Sequence, residues 1–130
     1  MRHLQTKAED GRDFHFSTGL NYTKNAHSLL DQYKSDIIPK YRVWQFSGDA
    51  DPCVPYIGTQ RWVESLGYPE QEAWTKWEVN GQVAGYVTKY AANNFTFITI
   101  RDAGHMAPRY KPQQALYMLT KFIKNEPLDQ

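Results

Sequence analysis

Apolar positions recur at helical spacing between Asn25 and Lys40, where Leu29, Leu30, Tyr33, Ile37 and Ile38 share one face and Pro39 marks the end. That spacing predicts an amphipathic helix. The period then changes. Val43, Trp44 and Phe46 form a short run of strand formers closed by Ser47 and Gly48, which predicts a buried strand over 41–47. Pro52 and Pro55 keep the stretch DADPCVPYIGT out of a helix or a central strand, so it reads as a loop. Beyond it, Trp62, Val63 and Leu66 fall on one face of a second helix, with Thr59 as its expected cap and Gly67 as its stop.

The sharpest local signal is TKWEVNGQVAGYVTKY. Asn80-Gly81 supplies the two positive-φ positions of a type I′ turn, and strand formers flank it on both sides, which predicts a hairpin over 75–80 and 82–90. FTFITIR (95–101) reads as a further strand. After the loop DAGHMAP, a last helix is expected from Pro112 to about Lys124, with Ala115, Leu116, Leu119, Phe122 and Ile123 as its apolar face. Residues 1–24 have no sustained period and read as an irregular lead-in. Residues 25–130 then form one α/β unit in which parallel strands and a hairpin are covered by helices.

Composition narrows the function. The chain has 130 residues, 41% of them apolar and 15% aromatic, enough for a core. Fifteen basic against 14 acidic side chains leave a formal charge of +1, which argues against a partner bound by phosphate neutralisation and against a polybasic membrane anchor. No apolar run approaches the roughly 20 residues that span a bilayer. The opening MRHLQTKAEDGRD lacks the apolar stretch of a secretory signal, so none is expected in the chain as given. One cysteine, Cys53, excludes an internal disulfide and a cysteine-based zinc cluster. His3, His15 and His27 have no partner at i,i+4, so no metal site is expected.

Candidate chemistry sits in two loops, each following a strand, the place where open α/β sheets gather their catalytic groups. The first offers Asp49 and Asp51, the second Asp102 and His105. An acid that holds the Nδ1–H of a histidine, leaving Nε2 to act as base, is two thirds of a nucleophilic triad. Asp before His along the chain is the order found in α/β-hydrolases. Yet none of Ser17, Ser28, Ser35, Ser47 and Ser65 lies in a G-x-S-x-G elbow. Cys53 stands between two prolines, with no helix immediately after it to activate a thiolate. The expected nucleophile is absent.

These residues also carry a family resemblance. FSGDADPCVPYIGTQRWVESL followed by DAGHMAPRYKPQQAL resembles the C-terminal third of the serine carboxypeptidases, which are α/β-hydrolases, and FHFSTGLNYT with NAHSLLDQYKSDIIPK fits the run-up to the acid-bearing strand. The motifs G-D-x-D and G-H-M-x-P are weak singly and specific together. The resemblance implies that Asp51 is the triad acid, His105 the base, and Asp49 a structural group bonding loop amides. It implies that Cys53 and Val54 line the acyl-side pocket and that Met106 contacts the leaving residue. Here the cysteine stands two places after Asp51, where some relatives have it three places after.

The resemblance further implies release of single residues from peptide C-termini at acidic pH, in lysosomes, vacuoles or outside the cell, with no cofactor. The serine nucleophile, the oxyanion hole and the carboxylate-recognising groups would lie upstream, so the chain alone is expected to be inactive and to need the missing half or to self-associate. Two other readings share these motifs: a truncated, non-catalytic interaction module, and a segment of a carboxypeptidase-like acyltransferase. Asn21 and Asn94 begin N-x-[ST] sequons and are expected glycosylation sites on a secretory route. Trp44 and Trp62 are expected in the core. Trp74 and Trp77, near the hairpin, are left open.

Overall fold

A computed structural model describes residues 28–90 and 95–129. Its centre is a four-stranded sheet of β1 (Val43–Gly48), β2 (Glu70–Val79), β3 (Gln82–Tyr90) and β4 (Phe95–Ile100), in the spatial order β1-β4-β3-β2. β1 and β4 run parallel; the other pairs are antiparallel. This is a mixed sheet flanked by helices, as an α/β-hydrolase-like fragment requires. β4 is central, and all six of its residues are buried, which accounts for its unbroken apolar and β-branched run. Asn80 and Gly81 have φ of 54° and 75°, the backbone of the expected type I′ turn.

Helices cover both faces. On one lie α1 (Leu30–Gln32), continued by a π-helical turn (Tyr33–Ile37), and α2 (Tyr56–Ser65). Ile38, Val63 and Leu66 pack there against Tyr90, Phe95 and Phe97. On the other face α3 (Ala107–Tyr110) leads into α4 (Pro112–Ile123), and Met118, Ala107 and Leu128 close over Trp77, Val87, Ile98 and Ile100. Each large side chain so buried contributes about 1.5–3 kcal/mol. Trp77 belongs to this core, 1% exposed, and its indole N–H donates to the Thr99 carbonyl at 3.1 Å. Trp44 and Trp62 are only half-buried and pack at the core margins.

Several expectations need correction. The first helix is shorter than 25–40 within the described residues, because Leu29 is not helical and Leu30 N–H bonds the Ser28 hydroxyl; residues 25–27 lie outside the description, as does the lead-in. The first strand is not wholly buried. Phe46 is 42% exposed, since β1 is an edge among the described strands. Thr59 does not cap α2, because Pro55 enters that helix directly and accepts the Gly58 and Thr59 amides. Its hydroxyl instead accepts a bond from Ser47. β2 begins five residues before the expected 75, drawn into pairing with β3 through register shifts after Glu70 and Glu72.

The last helix has the expected bounds, but only Ala115 and Phe122 of its expected apolar face turn inward, where Met118 joins them. Met118 is buried and Phe122 packs on Trp44, whereas Leu116, Leu119 and Ile123 are 65%, 51% and 72% exposed. Arg42 explains part of this orientation. Its guanidinium donates to the carbonyls of Phe122 and Glu126 and to Asn125 Oδ1, and lies 4.5 Å above the Trp44 ring, tying the end of α4 to the start of β1.

Candidate active site

Two loops meet at the carboxyl end of the parallel pair, residues 49–55 after β1 and 101–106 after β4. The register β1–β4 sets Gly48 opposite Ile100, so both loops leave the sheet at the same level. They are joined at once: Asp49 N–H donates to the Ile100 carbonyl and Ala50 N–H to that of Ala103. Only glycine permits this approach at position 48, since a Cβ there would stand 2.2 Å from the Ala103 oxygen. Asp49 adds a side-chain link, its Oδ1 accepting the Asp102 N–H at 2.7 Å. Asp102 itself has φ 53° and an exposed side chain, so it serves as a turn residue.

Pro52 begins a tight turn in which Asp51 Oδ1 accepts the N–H groups of Cys53 at 2.8 Å and Val54 at 3.2 Å. One carboxylate oxygen is thereby fixed, and the other is left for the second loop. Asp51 Oδ2 lies 2.9 Å from His105 Nδ1. The acid side chain is 7% exposed and the imidazole 52%. Burial works to raise the pKa of Asp51, but the bonds from His105, Cys53 and Val54 together outweigh it and hold the carboxyl below its usual range. An ionised carboxylate only accepts, so Nδ1 must carry the proton. Nε2 remains as the basic nitrogen of a half-exposed ring.

Thus the structure brings Asp51 and His105 together, with Asp49 bracing the two loops. Cys53 is a free, exposed cysteine that touches Asp51 through its amide. Val54 is half-exposed and borders a cavity of about 480 Å³ with Gln45, Thr59 and Trp62. Met106 follows His105 and is 40% exposed. Asn21 and Asn94 lie outside the described residues, as do Ser17 and the histidines His3, His15 and His27. Each described serine hydroxyl has a partner elsewhere: Ser28 with Leu30, Ser35 with Asp36, Ser47 with Thr59, Ser65 with Trp62. Among the described residues, no three His, Cys, Asp or Glu side chains converge to hold a metal. No described helix is long and apolar enough to cross a membrane. The close approach at Gly48 is not visible in local pattern, because its partner is 55 positions away in sequence.

The sequence profile of a family described as "Serine carboxypeptidase" matches residues 10–125. The chain is 41% identical over 122 residues to "Serine carboxypeptidase-like 20" of Arabidopsis thaliana, an overlap of 94% of this chain and 24% of that protein. It is 39% identical over 110 residues to "Serine carboxypeptidase-like 21" of the same plant, covering 85% of this chain and 22% of the relative. Similarity to "Serine carboxypeptidase 1" of Hordeum vulgare is 39% over 109 residues, 84% of this chain and 22% of the relative. The chain thus spans about a quarter of the length of these curated relatives.

Proposed function

Because the chain belongs to the serine carboxypeptidase family, we propose that it is the C-terminal segment of a serine-type carboxypeptidase and carries the acid and base of its triad. The observation that carries this reading is the 2.9 Å contact between Asp51 Oδ2 and His105 Nδ1 on two loops held together by backbone bonds. Asp51 fixes the ring and stabilises the imidazolium. His105 Nε2 takes a proton from a serine hydroxyl as that oxygen attacks the scissile carbonyl, then returns it to the departing amino acid. The serine and the oxyanion hole come from sequence beyond this segment, and the segment alone is inactive. Cys53 and Val54 border the acyl side of the substrate and Met106 the leaving residue. A peptide with a free C-terminus is the substrate, no cofactor is needed, and the compartment is vacuolar, lysosomal or extracellular, with glycans at Asn21 and Asn94.

Two surfaces support the incompleteness of this segment. β1 is an edge among the described strands, and Leu116, Leu119 and Ile123 form an uncovered apolar stripe on α4. A chimera tests the proposal: the upstream three quarters of "Serine carboxypeptidase-like 20" joined to this chain, assayed on peptides with free and amidated C-termini. Residue release from the free peptide alone, lost in His105→Ala, is expected. Undiminished release by the His105→Ala chimera contradicts the assignment, and transfer of the acyl group to an added alcohol in place of hydrolysis identifies the acyltransferase reading.

A further inference from the structure

On the α2 side of the sheet, next to the acid-bearing loop, Asp49, Tyr56, Trp74, Tyr86 and Thr99 line a cavity of about 320 Å³. Trp74 and Tyr86 are 43% and 42% exposed, and their rings meet edge to face at 5.9 Å with an interplanar angle of 70°. Two nearly perpendicular rings make an open corner, and Tyr56 adds a third ring at the start of α2. The corner is built at a backbone cost. Trp74 has φ 47°, uncommon for a bulky residue, and sits where the β2–β3 register shifts between Glu72 and Thr75. Its amide reaches the Thr88 hydroxyl at 3.4 Å.

Asp49 supplies the charge. Its Oδ1 is committed to the Asp102 amide, and no described residue donates to Oδ2. Among the described residues, no basic side chain lines the cavity. Lys76, opposite Tyr86 across the hairpin, spends its charge on Glu78 at 2.7 Å. An anion would face the Asp49 carboxylate with no cationic side chain among the described lining residues to offset it, and a purely apolar guest would desolvate a carboxylate without replacing its water. Aromatic rings and a carboxylate around one space are the combination that attracts a cation carrying alkyl groups. We propose that this cavity binds an organic ammonium group, either a lysine-type side chain or a quaternary ammonium. The inference does not depend on Asp51 and His105 being catalytic.

The test uses this chain as it stands, following tryptophan emission on titration with n-butylammonium and with its neutral analogue n-butanol. Saturable binding of n-butylammonium, about tenfold tighter than n-butanol, is expected. Trp74→Ala should abolish the response. Asp49→Asn, which keeps an acceptor for the Asp102 amide, should weaken binding several-fold. If Trp74→Ala loses its near-ultraviolet dichroism, Tyr86→Leu replaces it, with a several-fold loss expected. Nα-acetyl-lysine amide and tetramethylammonium then distinguish the two sources of the group. Equal affinity for n-butanol, or affinity for n-butylammonium unchanged by the ring substitution and by Asp49→Asn, overturns the proposal.

Discussion

Asp51 offers His105 one oxygen and its own turn the other: Oδ2 stands 2.9 Å from the imidazole Nδ1, and Oδ1 accepts the amides of Cys53 and Val54. The division matters because a carboxylate held at one oxygen cannot swing away from its histidine. Orientation of the ring is thus set by the backbone of the 49–55 loop, and a substitution there should act at a distance on the imidazole.

The first expected outcome concerns pH. Asp51 is held below the usual carboxylate range, burial opposing and the His105 and amide bonds prevailing. The folded chain therefore binds fewer protons here than the unfolded one. The resulting stability is present above the unfolded aspartate pKa of about 3.9 and is lost as pH falls through the folded value. Carboxyl carbon shifts followed against pH should give Asp51 a midpoint below that of exposed aspartates, and a higher one in His105→Ala. In urea unfolding, the stability gap between wild type and Asp51→Asn should hold steady at neutral pH and shrink on the acid limb.

Gly48→Ala should separate the two loops. Its added methyl has no room beside the Ala103 carbonyl, so one loop must move, at about 1–3 kcal/mol by the usual cost of overpacking. Chemical denaturation gives the magnitude. Nuclear Overhauser contacts between residues 49–51 and 102–105 should weaken in the same variant.

Arg42→Ala should release the end of α4 from β1. The variant leaves two carbonyls and Asn125 without a charged donor and strips the cover from Trp44, for a loss of about 2 kcal/mol. Arg42→Lys, a point charge without the planar fork, should recover less than half of that in thermal unfolding.

Leu116→Glu with Leu119→Glu should reduce self-association of the isolated chain without altering its fold. Both side chains are more than half exposed on α4, so charge there costs little and removes an apolar stripe. Sedimentation velocity compares the two proteins. A wild-type chain that is strictly monomeric at all concentrations would remove the reason for the substitution.

How much of this was legible in the sequence follows from what each feature depends on. The hairpin was, because Asn80-Gly81 dictates its own backbone, and β4 was, because six consecutive core residues leave a central strand few alternatives. The partnership of Asp51 with His105 was expected from two motifs, each behind its own strand. The inward face of α4 was legible only in part: Phe122 was expected on it, but Met118 displaces Leu116, Leu119 and Ile123, and the choice is made by Trp44 and Arg42, more than 70 positions earlier. Likewise the corner at Trp74 arises from a register shift, and nothing in EQEAW announces one.

The central claim, that Asp51 directs His105 to keep its proton on Nδ1 and present Nε2 as the base, is most directly tested by long-range ¹⁵N–¹H correlation of the histidine rings at neutral pH. The account predicts His105 protonated at Nδ1 in the wild-type chain and a mixture of tautomers in Asp51→Asn. A wild-type His105 carrying its proton on Nε2 would contradict it.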